Sequence, residues 1–326
     1  MMVRGPTRKR TRRFSCVDPM NQEARQAVAV GNVKRVKELL LIGLSPNEAD
    51  CNGWTLLHLA SSRGRERVLR ELLEHQGSPC ARDGIGGFTC LHYAAMHGRT
   101  RLAQLLLEYD KDNKYDLVNS PSSDGWTPLH VAAHYGRESF VRMLLQQGAR
   151  VDALSTKGTS PLQLAIIREK VPCVKLLLAY ASDIDIQSGF PLRYTILKGN
   201  MFLARLLLLN GASPNLGRSE DGQTPLHLSA MKDDTACCVL LCRFGADSHA
   251  VNDDGKTPLE MYKSLNEGDT GASLSVLTMP SRTPRTLQDH CRLVIRHRLG
   301  QKGLHHINLL PIANIVKDYV RYKDHY

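Results

Sequence analysis

A short phrase recurs along the chain at intervals of roughly 33 residues, and this self-similarity restricts the fold more than any other feature. The copies read GWTLLHLASSRGR from Gly53, GFTCLHYAAMHGR from Gly87, GWTPLHVAAHYGR from Gly125, GTSPLQLAIIREK from Gly158, GQTPLHLSAMKDD from Gly222 and GKTPLEMYKSLNE from Gly255. Leucine-rich segments recur in the same phase. A unit of this length cannot cover its apolar faces alone, so we expect a row of stacked units.

The copy at Gly125 shows why each unit should contain two helices. Thr127 can cap a first helix, and Pro128 suits its first position, where a missing N–H costs nothing. Gly136 can end this helix. Val141 and Leu144 then lie on the apolar face of a second helix. The pattern predicts an all-α unit made of a turn followed by two helices.

Both halves of this unit resemble the ankyrin repeat over residues 21–270, which implies a solenoid of about seven units. The first unit, residues 27–47, lacks the Thr-Pro-Leu-His start and is expected to cap the stack. The stretch LEYDKDNKYDLVNSPSSDG is longer than the repeat allows and predicts an inserted loop. The unit containing SGFPLRYTILKGN has lost its Thr and His, which predicts irregular stacking there.

The net charge of +11 is concentrated at the two ends of the sequence. Residues 1–20 carry +5 and residues 281–326 carry +6, whereas the segment between them is neutral. A neutral middle argues against nucleic-acid binding by the repeats, although a local basic patch stays open. Residues 1–20 are predicted to be a disordered basic tail. Its RKRTRR cluster, Arg8 to Arg13, is a nuclear-import signal, a contact for an acidic surface, or only a solvated tail.

Hydropathy and cysteine usage indicate a cytoplasmic or nuclear protein. No apolar run approaches the length of roughly 18 residues that a membrane span needs, and the sequence does not start with the apolar segment of a secretory signal. The nine cysteines are scattered and odd in number. We therefore expect free, largely buried thiols in a reducing compartment.

No motif in the repeats predicts catalysis, a cofactor or a metal. A histidine recurs at one position of the repeat, as His58, His92, His130 and His227. A metal-binding row is one interpretation, but we favour imidazoles that tie each loop to the next by hydrogen bonds. Cys237, Cys238 and Cys242 lack the second pair that zinc would want and are predicted to be core thiols. The segment at Gly255 lacks the first glycine of a phosphate-binding loop.

Three aromatic residues follow the loop glycine of successive units and form the candidate substrate-binding surface. Trp54, Phe88 and Trp126 should lie in a row on neighbouring loops, where rigid rings are good binding anchors. The alternative is that each ring only packs on the adjacent hairpin. The ends of the nearby first helices could extend such a surface through Met96, His97, His134 and Tyr135.

After the repeats, the segment SLNEGDTGASLSVLTMPSRTP, residues 264–284, predicts a linker over residues 271–284 with a remnant helix in the segment. The segment TLQDHCRLVIRHRLG then predicts a helix capped by Thr286. Its apolar stripe consists of Leu287, Cys291, Val294, Ile295 and Leu299, and we expect Arg292, Arg296 and Arg298 on a solvated basic face. A second helical stripe follows in LPIANIVKDYV, at Ile312, Ile315, Val316, Tyr319 and Val320.

These two segments resemble the two halves of a SOCS box, spanning residues 285–326. The first, residues 286–299, resembles the elongin-binding box, and the second, residues 310–320, resembles the cullin box. Leu310, Pro311, Ile312, Val316 and Tyr319 match the cullin-box pattern, whereas Ala313 and Val320 replace the usual Pro and Leu. Two short helices cannot cover both stripes on each other and need the last repeats, a partner, or both.

Ankyrin repeats followed by a SOCS box resemble the ankyrin repeat and SOCS box family. The resemblance implies a non-catalytic adaptor in which Leu287, Cys291, Val294, Ile295 and Leu299 bind elongin C, which brings elongin B. It implies that Leu310, Pro311, Ile312, Val316, Tyr319 and Val320 recruit cullin 5 with its RING subunit. The repeats would capture a protein substrate for ubiquitination. The alternative is a non-degradative scaffold whose last helices only cap the repeat stack.

Overall fold

A computed structural model of the chain describes residues 19–110, 115–265 and 272–278. In the last part of the chain it describes residues 291, 294–296, 298–300, 303–304, 306–310 and 314–321. These residues contain helices and no strands, so the predicted all-α class is confirmed for them. They belong to two compact units divided after Gly158. The basic cluster Arg8 to Arg13 lies outside the described residues.

The first unit, up to Gly158, consists of paired antiparallel helices. They are α1 (Pro19–Val30), α2 (Val33–Leu41), α3 (Leu56–Arg63), α4 (Glu66–Glu74), α5 (Cys90–His97), α6 (Thr100–Tyr109), α7 (Pro128–Tyr135) and α8 (Glu138–Gln146). The first helices of the pairs contact one another in the order α1, α3, α5 and α7, and the second helices do so in the order α2, α4, α6 and α8. A 3-10 helix, Leu117–Asn119, occupies the predicted insertion before α7.

The second unit, from Thr159, repeats this arrangement. Its helices are α9 (Pro161–Ile167), α10 (Val171–Ala179), α11 (Ile186–Leu197), α12 (Met201–Leu209), α13 (Pro225–Met231), α14 (Thr235–Arg243), α15 (Pro258–Leu265), α16 (Ala272–Thr278) and, after the 3-10 helix Ile307–Leu309, α17 (Asn314–Val320). Helix α16 packs on α14 and α15, which confirms the remnant helix predicted after the repeats. Leu277 is buried in this packing.

The recurring histidine joins its loop to the next, as predicted, at His58, His92 and His227. In the unit at Gly53, Nδ1 of His58 accepts hydrogen bonds from the backbone N and the Oγ1 of Thr55, at 3.1 and 2.9 Å. Nε2 therefore carries the proton and donates to the carbonyl oxygen of Phe88 in the next loop at 3.0 Å. His92 repeats the pattern toward Trp126, at 2.8 Å, and burial lowers its pKa to about 4.

Helix α11 contains the predicted irregularity. Its first turn has left-handed backbone at Gln187, Ser188 and Gly189, with φ of 51, 54 and 79°. Arg193 replaces the histidine of the repeat, and its buried guanidinium donates to the carbonyl oxygens of Ser188 and, at 3.3 Å, of Gln187. The unit therefore uses a longer cationic side chain to hold the loop that an imidazole holds elsewhere.

The cysteines are free thiols where the structure describes them. Cys237 and Cys238 are buried, in agreement with the prediction of core thiols, whereas Cys242 is half-buried. Cys90 and Cys173 are buried as well. Burial raises the pKa of Cys90 to about 12, so this thiol is inert. Within the described part of the chain, no helix is both long and apolar enough to cross a membrane.

Candidate functional site

The segment predicted as a docking helix is anchored to α12 and α17, within the second unit, by Arg296. Residues 291, 294–296 and 298–300 are helical, and Arg296 is only 8% exposed. Its Nη2 donates to the carbonyl oxygens of Leu208, at 2.6 Å, and Leu209, at 3.2 Å. Its Nη1 donates to the carbonyl oxygen of Val320 at 2.8 Å. One guanidinium thus connects three segments of the chain.

The chemistry of helix ends explains this position. Leu208 and Leu209 end α12, and Val320 ends α17, so their carbonyl oxygens lie where the helix supplies no further i+4 donor. The Leu208 oxygen also accepts from the backbone N of Gly211 at 3.2 Å. These oxygens carry the negative end of the helix dipole and favour a cation. The guanidinium also lies over the ring of Phe244, 5.5 Å from its centroid. Arg296 therefore caps two helices at once.

The prediction of a solvated basic face is corrected at this residue. Arg298 is exposed as expected, and Arg292 lies outside the described residues. Arg296 is instead buried, because the acceptors that it needs come from α12, far away along the sequence. Helical periodicity assigns a polar residue to the solvent-facing side of a helix, and it cannot indicate acceptors that come from a distant part of the chain.

The predicted elongin-binding side chains divide between the surface and the interior. Cys291 is exposed, Val294 is 48% exposed and Ile295 is 37% exposed. Leu299, at the end of the same stripe, is half-buried. Leu287 lies outside the described residues. The structure therefore presents an apolar surface at Cys291, Val294 and Ile295, which we call the apolar docking surface.

A small core joins the two predicted boxes. Leu304, Ile307 and Val320 form a buried cluster, and Leu299 and Leu310 pack against it. Val320 has no exposed surface, so this predicted cullin-binding residue supports the module from inside in this structure. Leu304 and Ile307 are not among the residues predicted from the sequence. Their only signal is that they are aliphatic residues between the two boxes.

The remaining cullin-box residues are partly accessible. Val316 is 40% exposed and Leu310 is half-buried. Pro311 and Ile312 lie outside the described residues, as does the side chain of Tyr319. Leu309, beside the box, is 78% exposed and adds to the apolar surface of this end of the module.

In the first unit, two of the three predicted aromatic anchors share one buried ring. The centroid of Trp54 lies 4.6 Å from that of Tyr93, and the centroid of Phe88 lies 6.1 Å from it, both in edge-to-face geometry. Tyr93 donates from its hydroxyl group to Oδ2 of Asp83 at 2.5 Å. Oδ1 of Asp83 accepts from the backbone N of Gly86 and Phe88, at 2.8 and 3.1 Å, which holds the hairpin.

Trp126 is connected to the end of α7. Its centroid lies 5.3 Å from that of His134, which lies 5.0 Å from that of Tyr135. Tyr135 and His97 are exposed, and Met96 and His134 are half-buried. All three predicted anchors, Trp54, Phe88 and Trp126, are half-buried. Each ring therefore packs on the protein and still presents part of its surface.

Comparison with known proteins agrees with this architecture. A family model described as ankyrin repeats (3 copies) matches residues 25–117, 113–188 and 192–270. A second model, described as SOCS box, matches residues 283–321. The chain belongs to the ankyrin-repeat proteins and carries a SOCS box. The SOCS-box match includes the apolar docking surface, Arg296 and the small core that joins the two boxes.

Several relatives combine the same two parts. Over 167 residues the chain is 30% identical to mouse (Mus musculus) ankyrin repeat and SOCS box protein 5, covering 50% of this chain and 49% of the relative. It is 30% identical over 168 residues to ankyrin repeat and SOCS box protein 9 of the same species, covering 51% of this chain and 55% of the relative. It is 32% identical over 166 residues to protein 11 of Danio rerio, covering 50% and 53%. The chain thus spans about half the length of these relatives.

Proposed function

We propose that this protein is the substrate-recognition adaptor of a ubiquitin ligase that contains elongin B, elongin C and cullin 5. The observation that carries the proposal is the apolar docking surface inside the region matched as a SOCS box. Cys291, Val294 and Ile295 are exposed there although the helix itself is anchored. Covering these side chains with a partner removes apolar area from water and favours association.

Each part of the chain has a distinct task in this proposal. The apolar docking surface and Leu287 bind elongin C, which brings elongin B. Leu310, Pro311 and Tyr319 help to recruit cullin 5 and its RING subunit. The ankyrin repeats hold a protein substrate, so a ubiquitin-charged enzyme meets it at high effective concentration. The rate gain comes from proximity, and this chain supplies no catalytic group.

The contacts of Arg296 also support a capping role for the last helices. This residue covers the carbonyl ends of α12 and contacts Phe244, as a terminal cap would. A cap that acts only within the chain has no use for the exposed aliphatic side chains of Val294 and Ile295. We therefore favour the adaptor over a scaffold whose last helices serve the repeat stack alone.

Coexpression with elongin B and elongin C tests the proposal. The wild-type chain should copurify with both elongins in equal amounts, and Cys291→Asp with Ile295→Asp should abolish copurification. The matched control is Val239→Asp with Val251→Asp, which places two carboxylates on exposed aliphatic positions of the repeats. Circular dichroism should show equal helicity for all three proteins. Equal copurification of the wild type and the docking-surface variant would exclude the proposed site.

A further inference from the structure

The first helices of the first unit end in a basic edge. Helices α3, α5 and α7 are each followed by a glycine in left-handed conformation and then by an arginine. These arginines are Arg65, Arg99 and Arg137, which occupy the same position in three successive repeats. Because the three helices pack side by side, the arginines follow one another along one edge. We call them the arginine row.

Backbone contacts hold the arginine row in place. Arg65 donates to the carbonyl oxygen of Ala29 from Nη2, at 2.7 Å, and from Nε, at 3.1 Å. Arg137 donates from Nε to the carbonyl oxygen of Met96 at 3.0 Å. Arg99 lies over Gly64, where an added Cβ would come within 2.9 Å of its Nε. Each arginine thus reaches back over the preceding repeat, which makes the row pre-organised for a ligand.

The charge of this edge is not neutralised within the unit. Residues 84–107 and 125–137 contain no Asp or Glu. In the described part of the first unit, none of the ion pairs includes a member of the arginine row. Two acidic residues directly follow members of the row, Glu66 after Arg65 and Glu138 after Arg137. Glu138 pairs with Arg142 at 3.1 Å. Burial lowers the pKa of His97, and Arg99 and Arg137 lower it further, as a local positive field requires.

Aromatic side chains lie on the same edge. Tyr135 ends α7 two residues before Arg137, and it contacts His134, which contacts Trp126. Tyr135 is 42% exposed. A guanidinium binds a carboxylate through paired hydrogen bonds, whereas an exposed ring favours apolar and aromatic side chains. The edge therefore offers guanidinium groups at repeated intervals and an exposed aromatic ring at its α7 end.

We propose that the arginine row and the adjoining rings of the first unit bind an acidic stretch of the substrate protein that also carries aromatic side chains. This inference rests on the proposed adaptor function and names the chemical class of its substrate. Charge complementarity selects this occupant, because a basic or neutral segment would leave the arginines uncompensated. A local arginine row also explains how a chain whose middle segment has no net charge can bind a charged partner.

Fluorescence anisotropy with defined probes tests the inference on the full chain copurified with elongins B and C. The probe is a fluorescein-labelled peptide of alternating Glu and Tyr, and the comparison peptide has Lys in place of Glu. We expect binding of the acidic probe only, with an affinity that falls as the salt concentration rises. Arg99→Glu with Arg137→Glu should weaken it by at least about tenfold.

Two further variants separate recognition from folding and net charge. Arg63→Glu with Arg101→Glu alters exposed arginines beside the row and should also weaken binding of the acidic probe. Arg205→Glu with Lys263→Glu makes the same change of net charge on exposed positions of the second unit and should leave binding unchanged.

The inference would be overturned by equal probe binding of the wild type, of Arg99→Glu with Arg137→Glu, and of Arg63→Glu with Arg101→Glu. Equal binding of the lysine peptide or tighter binding of a labelled oligothymidine would also overturn it. Elongin copurification is measured in the same preparations. Loss of probe binding by the wild type with intact elongin binding counts against this inference alone. For the adaptor proposal, the opposing result is a chain that binds the probe but does not bind the elongins.

Discussion

Replacing Arg296 by methionine should release the SOCS box from the repeats of the second unit without unfolding those repeats. Methionine keeps much of the apolar stem but cannot donate to the carbonyl oxygens of Leu208 and Leu209. One hydrogen bond from a charged donor contributes roughly 1.5–3 kcal/mol, and we count only the shorter contact, to Leu208. The guanidinium over Phe244 adds roughly 0.5–1 kcal/mol. We therefore expect a loss of about 3 kcal/mol in the free energy that holds the two parts together.

Native-state hydrogen exchange measures this loss directly. A change of about 3 kcal/mol corresponds to an increase of about 150-fold in the fraction of open molecules. Amide protection should fall by up to this factor in residues 294–300 and 314–321. Protection in α3 of the first unit should stay unchanged, because its stability does not depend on this contact.

Two control variants test whether the guanidinium group of Arg296 anchors the helix. Arg298→Met removes a charge from an exposed neighbour and should have no effect on exchange. Arg296→Lys keeps the charge but replaces the planar fork by a single ammonium group, so it should give an intermediate result. Wild-type protection in Arg296→Met, or an equal loss in Arg298→Met, would show that the guanidinium does not anchor the helix.

Three other perturbations follow from the described contacts. His92 is neutral in the folded protein, with a pKa of about 4 instead of its usual 6.5. The unfolded chain therefore binds the proton first, and the free energy of unfolding should be complete above pH 6.5 and fall by about 3 kcal/mol toward pH 4. Thermal melts of His92→Gln should depend less on pH in this range. Ile307→Ala should destabilise the small core by about 2–4 kcal/mol, whereas Leu309→Ala at an exposed site should be nearly neutral in chemical denaturation. Trp54→Ala with Trp126→Ala should abolish substrate capture in pull-downs while elongin binding and helicity persist; lost helicity would assign the rings to packing alone.

The repeats could be predicted in detail because their signals are local. Thr55 and His58 lie three residues apart, and the cap that they form depends on little beyond the first helical turn. The same local logic identified the irregular unit at α11, where the Thr and the His are missing. The left-handed run at Gln187 to Gly189 could not be predicted, because it depends on how Arg193 fits between neighbouring loops.

The sequence was enough to predict which residues form the apolar docking surface, but it was not enough to predict the contacts that hold the helix in place. The stripe of Cys291, Val294 and Ile295 follows from helical spacing, and the structure exposes all three side chains. The burial of Arg296 depends on carbonyl oxygens that the folded chain brings from α12, and a one-dimensional pattern contains no such information. Tyr93 likewise reads as an ordinary core position, although its ring supports both Trp54 and Phe88.

The capping of α12 by Arg296 also makes the SOCS box sensitive to the length of a repeat that it follows only at a distance. Each residue added to or removed from a helix turns its last carbonyl groups by about 100° and moves them by about 1.5 Å along the axis. A single insertion within Met201–Leu209 would therefore direct the oxygens of Leu208 and Leu209 away from the guanidinium. Insertions and deletions in this repeat are thus constrained by the docking helix as well as by the repeat's own neighbours.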